Sequence, residues 1–138
     1  LHRPTATDPS FAPEGHDSFY VLAPVPNMRA AINWETEGPK LRDRIVEALD
    51  QTILPGLRTS IRSDFFMTPR DFSERYLSSY GSGFSVAAVF SQSAWFRFHN
   101  RSEVLDNLYL VGAGAHPGAG VPGVLCSAKV LDRISMPV

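Results

Sequence analysis

Four scarcities bound what this chain can be. It has one cysteine, Cys126, so no internal disulfide is possible, and a reducing compartment fits that usage. No Cys or His pair stands at metal-ligand spacing, so no metal site is expected. No run approaches the roughly 20 apolar residues that span a bilayer, and no basic-plus-apolar leader opens the chain. Basic residues do not cluster: 13 Lys and Arg face 14 Asp and Glu, for a net charge of -1. A nucleic-acid partner, which needs a basic face to displace counterions, is therefore not expected. The chain opens Leu1-His2-Arg3-Pro4 without a methionine, which points to a fragment or a processed product.

What is present is a soluble globular composition, 43% hydrophobic and 20% charged over 138 residues, too apolar for a disordered tail. Residues 1–17 read as a surface loop, with Asp8-Pro9 and Glu14-Gly15 as turn signals. Residues 18–23 (SFYVLA) are aromatic and β-branched and predict a strand covered on both faces. Gly38-Pro39 predicts a helix start, with Leu41, Ile45, Ala48, Leu49 and Thr52 on one stripe and Pro55-Gly56 as the stop. Residues 59–67 predict a strand. Thr68-Pro69-Arg70-Asp71 has the form of a helix N-terminus, in which Thr68 caps and Asp71 returns a hydrogen bond. That helix would carry Phe72, Tyr76 and Leu77, and YGSG at 80–83 would follow as a turn. In SQSAWFRFHN (91–100), Trp95, Phe96 and Phe98 either line an apolar ligand cavity or are buried as ordinary core.

The most informative segment follows the strand expected at 107–111. Residues 112–123 contain five glycines: 112, 114, 118, 120 and 123. So many glycines carry a large conformational cost unless bare backbone is needed. A helix is expected over residues 121–134, with Pro122 tolerated in its first turn. The unpaired N–H groups there suit a phosphate or a flavin carbonyl oxygen. Gly118, Gly120 and Gly123 match G-x-G-x-x-G, yet Gly118 lies six residues beyond the strand and no acidic residue follows about 20 positions on. A first-βαβ dinucleotide motif is therefore a poor reading. Pattern alone leaves two readings open, a cofactor-facing turn and a turn that only permits tight strand–helix packing. Ser127 and Lys129 lack the G-x-S-x-G context of a hydrolase.

NLYLVGAGAHPGAGVPGVLCSAK (107–129) closely resembles the C-terminal flavin-binding segment of bacterial and fungal type phytoene desaturases. DSFYVLAPVPN, EGPKLRDRI, LPGLR and SQSAWFRFHNRS fall in that family's order, so the resemblance covers nearly the whole chain. It implies an α/β fold of mixed α+β character. Residues 1–106 would be part of a substrate-binding domain, its sheet covered by helices. Residues 107–138 would be the last strand and helix of a Rossmann-like FAD-binding domain. It implies an oxidoreductase acting on CH–CH groups, which desaturates phytoene or a related carotenoid with a non-covalently bound FAD. A carotenoid isomerase, another polyene oxidoreductase or a non-catalytic truncated product are the alternatives.

The family's first βαβ unit does not fall in this chain. The resemblance therefore implies a missing N-terminal part as partner, and an inactive chain when alone. It also implies a cytoplasmic enzyme peripherally associated with the membrane surface. Gly112, Ala113 and Gly114 would pass the ribityl–pyrophosphate part of the cofactor. His116, Pro117, Gly118 and Gly120 would continue the cofactor-binding turn. Amides of the stretch Val121, Pro122, Gly123 and Val124 would face the N1 and O2 edge of the flavin. His116 is the one acid–base candidate, although a hydrogen bond within the turn is the reading we favour. A polyene ligand would give Trp95, Phe96 and Phe98 a place in the substrate cavity. Three departures are noted: Ala115 stands where many relatives have threonine, Cys126 often corresponds to glycine, and VLDRISMPV (130–138) differs from the usual small-residue ending.

Overall fold

Asn33 opens the longest element. Its side-chain oxygen accepts the Glu35 N–H at 3.0 Å, and its carbonyl accepts from Glu37 at 2.9 Å, so helix α1 runs Trp34–Gln51. The start expected at Pro39 is thus too late by one and a half turns. An asparagine cap with Glu35 and Glu37 in the first turn favours the earlier start. Pro39 sits inside the helix, where it forfeits the one bond that its missing N–H would have made to the fourth residue before it. The expected stripe is found in part: Leu41, Ile45 and Leu49 are half-buried while Asp43 and Glu47 are exposed, but Ala48 and Thr52 are exposed too, and Arg42 and Asp50 are half-buried.

The computed structural model describes residues 1–87 and 89–134. Among them are three further α-helices, α2 (Leu57–Ser60), α3 (Pro69–Tyr76) and α4 (Val121–Ile134). Short 3-10 turns lie at Pro4–Ala6, Pro9–Phe11, Ser79–Gly81, Phe90–Gln92 and Ala94–Phe96. The mixed character of helix and extended chain holds. Within the described residues no strand ladder forms, and pairing is confined to isolated bridges: His2 with Tyr20, Phe98 with Ala115, and Arg101 with Tyr109. The strand expected at 18–23 is therefore extended chain pinned at Tyr20 alone, through two 2.8 Å bonds with His2. The last four residues of VLDRISMPV lie outside the described residues, as does Ala88 in the apolar run 84–90.

The strand expected at 59–67 is not found. Local polar groups capture its start: the Thr59 and Ser60 hydroxyls donate to the Gly56 carbonyl at 3.0 and 2.8 Å, and Asp50 accepts the Arg58 N–H at 3.0 Å. These bonds favour the helical turn α2 over a ladder. The chain then lies back across α1. Asp64 accepts from Arg42 Nε at 2.7 Å. A Cβ on Gly38 would stand 2.9 Å from Thr68 Cγ2 and 3.1 Å from Phe66 Cε2. Glycine at 38 is what lets the segment touch the helix backbone.

Helix α3 starts as expected. The Asp71 carboxylate accepts both the Thr68 N–H at 2.8 Å and the Thr68 hydroxyl at 2.7 Å, and Pro69 occupies the first turn. Phe72 and Tyr76 pack with ring centroids 5.6 Å apart. Leu77 is not part of the helix but its left-handed end, at φ 53°. The turn that follows closes on the helix start: Gly81, at φ +67°, would place a Cβ 1.9 Å from the Pro69 carbonyl oxygen. Arg70 bridges Glu74 on its own helix and Glu35 on α1.

Apolar burial is sparse. Trp34 and Ala115 are the buried hydrophobic residues among those described, and the surface amounts to 10839 Å². A folded monomer of this mass, 15.2 kDa, exposes roughly 7,100 Å². Exposed apolar side chains are spread from Leu1 to Leu125. None of the described helices is long and apolar enough to cross a membrane.

The Asp71 contacts yield a prediction with a definite sign. The two Thr68 donors hold its carboxyl below the ordinary aspartate range, the backbone bond contributing most. A depressed folded pKa means stability that is present above the unfolded value and is lost as pH falls through the folded one. At pH 7 Asp71→Asn is expected to lower stability by about 1 kcal/mol, the usual worth of a helix cap. Urea titrations should show the gap to wild type closing below about pH 4. A gap that stays constant down to pH 2 would remove the carboxylate from this role.

Candidate functional site

Three stretches of chain meet around one buried amide. Residues 100–102 pair with 108–110: Leu110 donates to the Asn100 carbonyl at 2.8 Å and Ser102 to the Leu108 carbonyl at 2.9 Å. The Ser102 hydroxyl accepts the Val104 and Leu105 N–H groups at 3.2 and 3.0 Å, which turns the chain. Asn107 at φ +59° completes the reversal. On the other side His116 donates to the Phe98 carbonyl at 2.9 Å. The strand expected at 107–111 is therefore one arm of a short hairpin rather than the edge of a sheet.

The Asn100 side chain, 6% exposed, lies at the centre. Its Nδ2 donates to the carbonyls of Leu110 and His116, each at 3.0 Å, and reaches Ser127 Oγ on α4 at 3.2 Å. Ser127 is fully buried and also accepts the Gly112 N–H at 3.0 Å. Two carbonyl acceptors fix which end of the amide faces inward. Hairpin, glycine turn and α4 are thereby joined at one point.

The five glycines divide into two groups. Three are held by internal contacts. A Cβ on Gly114 would stand 2.8 Å from Ser85 Oγ, and one on Gly123 would stand 2.5 Å from the Gly118 carbonyl oxygen. Gly118 lies under the Arg97 guanidinium, 3.8–3.9 Å from its Cβ position. The other two are bare. Gly112 at φ +107° and Gly120 at φ +92° have nothing within 4 Å of where a Cβ would be. Both conformations favour glycine, and both leave backbone open to an incoming group. The His116–Pro117 peptide bond is cis.

A depression of about 380 Å³ opens beside this turn, lined by Gly83, Phe84, Ala113, Ala119, Gly120, Val121, Val124 and Leu125. Its walls are mostly apolar, and the start of α4 forms its rim. Pro122 has no N–H, and the Val124 N–H is taken by the Gly120 carbonyl at 2.9 Å. Of the expected amides, those of Val121 and Gly123 are left to donate to a ligand, with the positive end of the helix dipole behind them. The bare backbone at Gly112 and Gly120, where any side chain would fill the approach, fits a planar, partly anionic cofactor.

The structure thus gathers Ala113, Gly120, Val121 and Val124 round one depression, with Gly112 bare in the same turn. His116 does not line it. Its ring stacks on His99 at 5.2 Å, and His99 Nδ1 lies 2.6 Å from the Glu103 carboxylate. Trp95, Phe96 and Phe98 are 74%, 58% and 62% exposed, so the expectation that Trp95 and Phe98 are buried core does not hold. Trp95 meets His99 edge-on at 5.1 Å, and Phe96 packs on Phe90 at 5.5 Å. Sequence reasoning did not single out Phe84, Arg97 or Asn100, and it named Ser127 only to set aside a hydrolase nucleophile. The YGSG turn and the polar cluster in RFHNRS were the available signals. Long-range hydrogen bonding, which pattern does not encode, is what gives these residues their place.

Three relatives place the chain in context. It is 56% identical over 94% of its length to a lycopene-forming phytoene desaturase of Pantoea ananas. It is 48% identical over 99% of its length to the lycopene-forming enzyme of a Paracoccus species, and 48% over 98% to a neurosporene-forming phytoene desaturase of Cereibacter sphaeroides. The matched region is 26–27% of each relative, so the chain spans about a quarter of their length. No family model matches the chain.

The Asn100–Ser127 node is testable. Ser127→Ala removes the acceptor of the Gly112 N–H, while the two hydrogens of Asn100 Nδ2 keep their carbonyls; an unpaired buried polar group costs about 1–3 kcal/mol. Urea unfolding should show a loss of that order. Ser127→Thr, which keeps the hydroxyl, should lose less. Equal stability of Ser127→Ala and wild type would remove the node from its central place.

Proposed function

We propose that this chain, homologous to the C-terminal portion of phytoene desaturases, forms the isoalloxazine-facing end of a non-covalent FAD site. The whole enzyme would desaturate phytoene or a related carotenoid. The observation that carries the reading is the 48–56% identity, over 94–99% of this chain, to proteins of that activity. The bare Gly112 and Gly120 backbone gives it a physical basis.

The substrate class explains why the site is made of backbone and apolar side chains. A polyene hydrocarbon has no carbonyl to polarise and no acidic proton. Side chains cannot accept a hydride, and FAD, when bound, supplies the acceptor. What the chain's own groups do is hold and tune. Gly112 and Gly120 admit a ring system to the main chain. The Val121 and Gly123 N–H groups donate to negative charge on the cofactor. Phe84, Val124 and Leu125 keep water from the depression. His116, stacked on His99 away from those residues, is placed to shape the turn rather than to take a proton.

In this reading residues 107–138 complete a Rossmann-like FAD-binding domain, and residues 1–106 contribute to a substrate-binding domain. The remaining part of the same enzyme, N-terminal to this chain, covers the exposed apolar surface and holds the ADP half of the cofactor. Trp95, Phe96 and Phe98 take part in the substrate cavity that forms there. The enzyme sits on the cytoplasmic face of a membrane as a peripheral protein, because its substrate is held in lipid.

Two measurements test the proposal. The full-length enzyme carrying this chain should co-purify with FAD and convert phytoene, and the 138-residue chain alone should pass gel filtration without flavin. A stoichiometric yellow spectrum on the isolated chain would show that its own residues suffice and would sink the two-part site. In the full-length enzyme, Gly120→Val should reduce retained FAD about tenfold or more, because a branched side chain fills the approach and resists φ +92°. Unchanged flavin content would move the cofactor elsewhere.

A further inference from the structure

Arg97 is a charged residue that the proposed chemistry leaves unused. It is half-buried in the loop before the hairpin. Its Nη2 donates to the Ala113 carbonyl. Its Cζ, Nε and Nη1 lie 3.8–3.9 Å from where a Cβ on Gly118 would stand, so the guanidinium is a neighbour of that glycine. Side chain and turn are joined by a hydrogen bond at Ala113, with Gly118 alongside.

What surrounds that charge is unusual. No carboxylate pairs with Arg97 among the described residues, and its Nε is buried without a hydrogen-bond partner. Arginine stays protonated in any accessible environment, so this is a partly dehydrated positive charge with no counter-charge. A neutral carbonyl is its one hydrogen-bonding partner. The same turn brings it close to the start of α4, whose Gly123 packs on the Gly118 carbonyl and whose dipole is also positive. Two positive features converge on one turn, and partly buried charges ordinarily find partners. A partner that would balance this charge is not among the described residues.

We propose that Arg97 is an electrostatic positioning residue for the cofactor: held at the Ala113 carbonyl beside Gly118, it favours the anionic, reduced form of the flavin over the oxidised form. This rests on the FAD reading given above. Arg97 acts through the field of its charge and through the shape it imposes on the turn, without contact with the reacting atoms.

The distinguishing readout is the ratio of affinities for the two redox states. A residue that only shaped the turn would weaken oxidised and reduced flavin equally. Loss of a charge weakens the reduced, anionic form more. In the full-length holoenzyme, Arg97→Gln should bind reduced FAD at least tenfold less tightly relative to oxidised FAD, a fall in midpoint potential of about 30 mV for a two-electron couple. Arg97→Lys, which keeps the charge but cannot lie flat, should hold both forms more weakly with their ratio near wild type. An unchanged ratio in Arg97→Gln overturns the proposal.

A measurement on wild type keeps the test open if Arg97→Gln does not fold. Sulfite adds through its lone pair to flavin N5, and the electrons displaced into the ring leave negative charge at N1 and O2. The wild-type holoenzyme should form this adduct, and failure to form it overturns the proposal. A wild-type enzyme that holds no FAD would instead overturn the functional reading on which the proposal rests.

Discussion

Asn100 and Ser127 stand 27 positions apart, yet the arrangement of the glycine turn depends on their contact. The amide nitrogen serves two carbonyls and a hydroxyl, and that hydroxyl serves a further N–H at Gly112. In a structure with a large apolar core, such a node would be one constraint among many. Here Trp34 and Ala115 are the buried apolar residues described, and Ala115 sits one residue from a carbonyl that Asn100 binds. Hydrophobic burial is non-directional. A buried amide tolerates few geometries, because each unmade bond costs free energy that water would otherwise supply. The node therefore sets where α4 begins relative to the hairpin, and with it where the bare backbone lies.

Glycine follows the same logic at a finer scale. Gly114 and Gly123 permit contacts with Ser85 and the Gly118 carbonyl that any Cβ would crowd or block, while Gly118 holds a φ of +141° that favours glycine. Gly112 and Gly120 have no neighbour to avoid. Their positive φ values are open to glycine and disfavoured for other residues, and their backbone also bonds internally, Gly112 N–H to Ser127 Oγ and the Gly120 carbonyl to Val124 N–H. Of the two readings left open by pattern, tight packing describes Gly114 and Gly123, and cofactor approach at Gly112 and Gly120 is the part carried by the proposal.

Short-range chemistry was legible in the sequence. The Thr68–Asp71 capping box and the helix start at Val121 each depend on residues within a turn or two and are found as read, and the α1 stripe is found in part, at Leu41, Ile45 and Leu49. Where two local signals competed, the reading failed. Asn33 and Pro39 both announce a helix start, and the asparagine cap prevails because a proline near the start forfeits a single bond. The strand expected at 59–67 fails because Asp50, Thr59 and Ser60 offer the backbone local partners. The strands at 18–23 and 107–111 have the composition of buried strands, but composition does not say which chain supplies the neighbour. The roles of Arg97, Asn100 and Ser127 were invisible because they lie in contacts 10 to 27 residues distant.

These points together explain how a turn can be well shaped on a chain with little core. Carbonyls, amides and one guanidinium fix the positions of residues 97–127 relative to one another, and none of those bonds requires a closed apolar interior around it. The apolar surface that remains, from Phe84 to Leu125, is then free to meet a polyene, a flavin or further protein without altering the turn. The site proposed above would need that separation. A polyene substrate would have no polar handle by which to be oriented, so a cofactor there would have to be held by groups that do not compete for the apolar walls. Hydrogen bonds between backbone and a few buried polar side chains meet the requirement, and they leave the hydrophobic surface to the ligand.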